Sequence, residues 1–409
     1  MLYRLEIENF YSIREKQVID LRVAANVRDY PERFVPIYPE SETQAPKVVA
    51  LFGPNGSGKT NVLRALAFIS WFLASSFQRN ESSLPCECFN DKEAANLPVR
   101  LAVELGGPTD LTHGTTQRIE AGETVAFGLF RYEIELIAKD GSVTGVGCER
   151  LSHKPGGAGK WTRVFERRAG RILLGSKTFQ LSKFAKIIDK IRDNASVITT
   201  LALFDHQPSI QIQRMARKIT KNMIREQGER SDAAIQELLV ANPDIFSALN
   251  RQIQRIDIGI ESIKFNPDPN FPKLMFRHSG LEGDMTMASE SHGTRSFMKI
   301  FPLLFEVLAN GGIAIVDELD ATIHSLVLAE ILRWFYDPRQ NQKNAQLWVS
   351  CHNASLLDDL VKEEIVLTEK DHQGRTRVFS LMEVEGVRRS DNLYKKYLGG
   401  VYGAVPHIG

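Results

Sequence analysis

Eight consecutive residues, Gly53-Pro54-Asn55-Gly56-Ser57-Gly58-Lys59-Thr60, fit the spacing G-x-x-x-x-G-K-[ST]. Each residue type has a chemical reason to be there. Glycines let the backbone curl so that its N–H groups converge on a β-phosphate, helped by the positive end of the helix that follows. Lys59 is placed to neutralise β- and γ-oxygens, and the Thr60 hydroxyl to bind Mg²⁺. The bland alternative is an incidental glycine-rich turn. Its position, between an apolar strand and a helix, favours the phosphate loop.

A second group closes the apolar run Ile313-Ala314-Ile315-Val316: the acids Asp317 and Glu318. Charges at the carboxyl end of a buried strand need a cation, and that end is where open α/β sheets bind ligands. Asp317 is placed to hold Mg²⁺ through its water shell, and Glu318 to orient or deprotonate an attacking water. Alone the pair could be solvated acids at a strand end; joined to the phosphate loop it reads as the other half of one site. Gln346–Ser350 is another apolar strand, followed by Cys351 and His352. A histidine there could contact a γ-phosphate and report its loss, although alone it would be a satisfied structural histidine.

The elements that carry these residues are legible from periodicity. Leu2, Tyr3, Leu5 and Ile7 begin a strand, Gln17–Leu21 could pair with it, and Lys47–Phe52 is a buried strand leading into a helix over Thr60–Phe77. The Pro-rich stretch 25–46 reads as loop. Strands fit Val99–Leu105, Phe130–Ile137 and Ser142–Arg150, the last two joined at Lys139-Asp140-Gly141, and His153–Lys160 reads as a flexible turn. From Thr178 to Ile253 the pattern turns helical. Beyond Asp257 come a strand at Lys273–Phe276, a helix over Gly293–Leu308, the Asp317 strand, a helix over Thr322–Tyr336, and strands at Gln346–Ser350 and Glu364–Leu367.

Composition bounds what such a chain does. There are 409 residues, with 51 Lys+Arg against 50 Asp+Glu, 43% hydrophobic and 25% charged. That is an ordinary globular balance, too long for one minimal domain, with no whole-chain field for nucleic acid. Residues 161–230 depart from it, with 15 Lys/Arg against 6 Asp/Glu, a local balance of +9. They read as a solvated helical lid or as a surface for nucleic-acid phosphates or an acidic partner. The N-terminus is charged and alternating, unlike a signal peptide, and the greasy run Val62–Phe77 is broken by Arg64, so a cytoplasmic setting with no membrane partner is expected. Cys86 and Cys88 could be half of a zinc site, but no second ligand pair has the usual spacing.

Two α/β halves bracketing a different middle resemble the ATP-binding-cassette branch, specifically the SMC-like and overcoming-lysogenization-like ATPases. The resemblance rests on LEIENFYSIRE, the loop GPNGSGKTN, the stretch SESHGT over Ser289–Thr294, the strand IAIVDELDATIH, and His352. It implies an ABC-type P-loop ATPase head with a mixed sheet, a β-rich lobe and an inserted mainly helical lid. Residues 1–150 would be the first half of the head, 151–256 the basic lid, and 257–409 the second half. It implies ATP and Mg²⁺ as cofactors, Asn61 joining the nucleotide-binding loop, and an ATP-dependent homodimer. In that dimer Ser291 and Gly293 would complete the γ-phosphate shell of the partner subunit, and Asp320 would communicate across it. The bland reading of Ser291 is a helix N-cap.

A closer resemblance uses the opening NFYSI, Phe89 before an acidic–polar turn, DELDATIH, and the tail NLYKKYLGGVYGAVP. These look like stand-alone bacterial defence ATPases of abortive-infection L-type systems, and more distantly of Septu, PARIS and retron modules. There the ATPase acts with a separately encoded effector, often a nuclease. The tail lacks the clustered acids of a fused Toprim nuclease, so this chain is expected to be the sensor or scaffold. Departures are His292 in place of a small signature residue, Asn353 after the switch histidine, and no assignable glutamine in the coupling loop. The rival reading is a RecF-like DNA-repair ATPase; a transporter subunit and a small-molecule kinase fit less well.

Overall fold

The computed structural model describes every residue except 25–26, 28, 112–114, 224–230, 258, 267–271, 322 and 407–409. The alternating N-terminus forms β1 (Leu2–Glu8), paired antiparallel with β2 (Gln17–Asp20). The stretch expected to be loop holds a short hairpin, β3 (Phe34–Pro36) with β4 (Gln44–Pro46). Pro36 and Pro46 close these strands, where a missing N–H costs little. Next come β5 (Val48–Phe52), the phosphate-type loop, and helix α1 (Lys59–Ser75).

Then follow β6 (Val99–Pro108), a short α2 (Thr115–Glu120), β7 (Phe127–Lys139), β8 (Ser142–Pro155), β9 (Thr162–Arg168) and β10 (Arg171–Gly175). Asp140 and Gly141 take φ values of 50° and 83°, as a tight two-residue hairpin requires. With β1 and β2 these strands form an antiparallel sheet in the order β10-β9-β8-β7-β6-β1-β2. Two expectations are corrected here. The boundary at 150/151 falls inside β8, and 162–175 is a hairpin of this sheet, not helical lid. Its strand character is masked by charge: Arg167 is fully buried, donating to the Ala195 and Arg192 carbonyls at 2.8 and 2.9 Å. Glu166 is held by Arg150 and Arg168.

Helices start at α3 (Ala185–Ile188), α4 (Val197–Ala202) and α5 (Gln207–Arg217). Instead of standing off as a lid, α5 packs along α1: Ser70 Oγ donates to the Ala216 carbonyl and Gln213 Nε2 to the Ala74 carbonyl, each at 2.9 Å. After it comes β11 (Ile219–Asn222), then α6 (Asp232–Ala241), α7 (Pro243–Ile256), β12 (Ile260–Phe265), β13 (Leu274–His278), β14 (Met285–Thr286) and α8 (His292–Asn310). The chain ends through β15 (Ile313–Val316), α9 (Ser325–Tyr336), β16 (Gln346–Ser350), β17 (Ile365–Lys370), β18 (Thr376–Ser380) and α10 (Leu393–Leu398). His324 caps α9, so this helix starts later than expected; Thr322 lies outside the described residues.

The second sheet runs β11-β15-β16-β5-β17-β18, parallel except for the β17–β18 pair. Strand β11 was not anticipated: four residues of the supposed lid are the edge of the central sheet, beside the Asp317 strand. Period-two alternation sends β5 into two cores. Val49 and Leu51 belong to the core that holds Leu63, Leu66, Phe72 and residues of the antiparallel sheet; Val48, Ala50 and Phe52 belong to the one that holds Phe297, Phe301 and Phe335. Burial of each large side chain contributes roughly 1.5–3 kcal/mol, so the strand ends that carry the site are rigidly held. Among the described residues one helix, Lys59–Gln78, is long and apolar enough to cross a membrane, and it is 67% buried inside the protein.

Candidate functional site

Strands β15, β16, β5 and β17 end on one side of the parallel sheet, and the chemistry-bearing residues collect there. The loop after β5 is shaped by its glycines. Gly53 has φ 151°, and a Cβ on it would lie 2.1 Å from the Thr368 carbonyl; Gly58 has φ 111°, and a Cβ would lie 2.3 Å from Thr376 Oγ1. Strands β17 and β18 therefore brace the loop from behind. Ser57 Oγ and Thr368 Oγ1 are 2.6 Å apart, and Thr376 Oγ1 donates to the Ser57 carbonyl at 2.8 Å. Asn55 and Gly56 are exposed at the tip, with Pro54 half-buried beside them. Asn61, two positions beyond Lys59 on α1, donates through Nδ2 to Ser12 Oγ at 2.7 Å, tying α1 to the turn after β1.

Lys59 is buried and folds back on its own loop, donating to the Gly53 and Pro54 carbonyls at 2.7 and 3.1 Å. Burial lowers its pKa, while the carboxylates of Asp320, Asp317 and Glu318 act in the opposite sense. An anion in the cradle would draw this ammonium off the carbonyls.

Asp317 follows β15 and is 2% exposed. Oδ1 accepts Ser350 Oγ at 2.6 Å and Thr60 Oγ1 at 3.2 Å, and no cationic side chain among the described residues lies within ion-pair distance. A buried carboxylate satisfied only by hydroxyls fits a site for a hard cation. Thr60 and Asp317 would offer the one or two protein oxygens that a Mg²⁺ ion takes when phosphate and water fill its remaining positions. No group of three His, Cys, Asp or Glu able to hold a metal occurs among the described residues, and Cys86 and Cys88 lie in the hydrophobic core.

Ser350, last residue of β16, ties the two acids together: it donates to Asp317 and accepts the Glu318 N–H at 2.7 Å. Glu318 has φ 53°, a left-handed conformation costly for a side chain other than glycine. Its Oε1 lies 3.7 Å from His352 Nε2. Asp320 Oδ2 accepts the His352 N–H at 2.5 Å and also the Asn353 N–H, so it anchors the loop after β16 within its own chain. The structure thus brings Lys59, Thr60, Asp317, Glu318, Asp320 and His352 to one end of the sheet.

Ser291 and Gly293 are elsewhere. Ser291 is exposed and caps α8, and its hydrogen bonds stay within the first turn of that helix, to the N–H and hydroxyl of Thr294. Sequence reading missed Ser350, Thr368, Thr376 and Ser12. Ser350 had a signal, a polar residue closing the apolar run Leu347–Val349 two positions before His352. Thr368 and Thr376 had none, because they meet the loop across more than 300 positions.

A mixed α/β core with a phosphate-type loop after β5 and an acid pair after β15, one strand away across β16, defines a P-loop ATPase head. The family model described as "AAA domain, putative AbiEii toxin, Type IV TA system" matches residues 48–358, so the chain belongs to that family. Solved structures similar to it include an SMC head domain from Thermotoga maritima, at 14% identity and TM-score 0.41 over 93% of this chain and 98% of that one. An SmcHead bound to the C-winged helix domain of ScpA matches at 13% identity and TM-score 0.46, over 93% and 97%. An Smc head with an extended coiled coil, bound to the C-terminal domain of ScpA derived from Pyrococcus furiosus, matches at 12% and 0.42, over 98% and 100%. No curated protein matches the chain.

Proposed function

We propose that the chain hydrolyses ATP in a head-to-head homodimer, and that closing and opening of this dimer controls a separately encoded effector, a nuclease, in anti-phage defence. One observation carries the reading: the cation and water-activating residues are assembled within one chain, whereas Ser291 is exposed and bonded only to its own helix. Within one copy Ser291 serves only as the α8 N-cap; two facing copies would also bring Ser291, Gly293 and the α8 N-terminus to the partner's γ-phosphate.

In this reading Gly53 through Asn61 cradle the phosphates and Lys59 neutralises them. Thr60 and Asp317 would hold Mg²⁺, which when bound offsets charge on the β- and γ-oxygens. Glu318 accepts a proton from the attacking water as the new P–O bond forms and the β–γ bridge breaks. His352, 3.7 Å from Glu318, senses the γ-phosphate, and Asp320 passes its loss to the facing surface.

The family description, naming a Type IV toxin–antitoxin system, supports a setting with a second gene product. The exposed cations Arg214 and Arg217 of α5 leave a place for nucleic acid or an acidic partner within 161–230. The setting is cytoplasmic, without a membrane partner. The test is co-expression with the neighbouring genes, followed by purification and ATP turnover. Recovery of the chain with a nuclease whose activity depends on ATP supports the proposal. Recovery with DNA alone would favour the DNA-repair reading.

A further inference from the structure

The hydroxyl of Ser291 is already committed. Asp257, which ends α7, accepts the Thr294 hydroxyl through Oδ2 at 2.9 Å, and this uses the single hydroxyl proton of Thr294. Ser291 Oγ lies 2.8 Å from Thr294 Oγ1, so the proton between them belongs to Ser291. Ser291 Oγ also accepts the Thr294 backbone N–H at 3.1 Å. What Ser291 shows to solvent is therefore a lone pair. A γ-phosphate is all acceptor and gains nothing from it.

We propose that Asp257 and Thr294 form a latch that keeps the Ser291 hydroxyl turned inward in the single chain. Sandwiching a triphosphate then requires the Ser291–Thr294 hydrogen bond to break, after which the Ser291 proton swings outward while Thr294 stays on Asp257. The proposal rests on the reading of Ser291 as the residue that meets the partner's γ-phosphate. Asp257 and Thr294 are positioning residues. Because Asp257 is the C-cap of α7, a partner that shifts this helix would release the latch, linking the segment 232–256 to dimer closure.

The direction of the effect separates a latch from a support. Thr294→Val keeps the backbone N–H on Ser291 and removes the hydroxyl. Asp257→Asn frees the Ser291 proton by another route. The Gly259 N–H, 3.2 Å from Asp257 Oδ1, needs an acceptor and so keeps the amide oxygen on its side. The new NH₂ then faces Thr294, whose proton passes to Ser291 Oγ and leaves the Ser291 proton free to point outward. In the full-length Glu318→Gln protein, the ATP concentration giving half-maximal dimer is measured by mass photometry. Each latch variant should lower it by about fivefold per site, the worth of one neutral hydrogen bond. Thr294→Ser, which keeps the hydroxyl, should return it to the parent's value. An unchanged or raised requirement in Asp257→Asn overturns the latch, and Thr294→Val gives a second reading should either variant fold poorly. Ser291→Arg separates the two levels: if it dimerises normally, the signature reading falls; if it abolishes dimers while the latch variants do nothing, only the latch falls.

Discussion

Ser350 Oγ sits 2.6 Å from Asp317 Oδ1, donating to that carboxylate while accepting the Glu318 amide at 2.7 Å. One buried hydroxyl thereby holds the Asp317 carboxylate and the Glu318 backbone. Ser350→Ala removes a hydrogen bond to a buried charged group, a change worth about 1.5–3 kcal/mol. We expect a drop in ATP turnover of roughly ten-fold or more with weaker Mg²⁺ dependence, measured by phosphate release across a Mg²⁺ titration. Turnover and Mg²⁺ response equal to wild type would show that Asp317 and Glu318 need no such tie.

Lys59 tests the cradle itself. Its ammonium is buried and bonded to two carbonyls of its own loop. Lys59→Ala should weaken ATP binding by about a hundred-fold or more, because a buried charge-assisted contact to phosphate is lost. Calorimetric titration checks this; retained affinity would mean that the triphosphate lies elsewhere.

Glu318 holds a φ of 53°. A left-handed residue other than glycine costs about 1–2 kcal/mol, so Glu318→Gly should abolish turnover and yet raise thermal stability by about 1 kcal/mol. The measurement is a melting curve beside a phosphate-release assay. A Gly variant that melts below wild type would show that the backbone at this acid is unstrained.

Much of this site was legible in the sequence because its signals are local. The loop, the strand before it and the acids after β15 are each short runs in which residue type and spacing state the chemistry. What was not legible depends on distance or on charge compensation. Strand β11 carries Thr220, Lys221 and Asn222, too polar for a central-sheet strand, and it pairs with β15 only because it lies at the edge. The β9–β10 hairpin was hidden by Arg167 and Glu166, whose charges are satisfied by partners from other elements. The split of Ser291 from the rest of the site is visible only in three dimensions. Its N-cap role and its proposed role toward a partner use the same atom.

Just before β17, Glu364 is fully buried between Arg33, at 2.7 Å, and the Tyr336 hydroxyl, at 2.6 Å. Burial pushes its carboxyl up to about 7, against the pull of Arg33. The folded state then binds a proton that the unfolded chain releases near 4.5. Stability from this group is present at low pH and is lost as pH rises through about 7, by up to about 3 kcal/mol at 1.36 kcal/mol per pK unit. Melting temperatures from pH 5 to 8 should fall in wild type and flatten in Glu364→Gln. Equal slopes would show that the carboxyl titrates normally.

Whether two copies must meet to finish one site is decided by the mass of the Glu318→Gln protein in solution with Mg²⁺, with and without ATP. The single chain is 46.0 kDa. We expect that mass without nucleotide and about twice that mass, or a multiple of it, with ATP, the shift vanishing in Ser291→Arg. A particle that remains at one chain's mass with ATP bound, while the wild type turns ATP over at that same mass, would contradict the account.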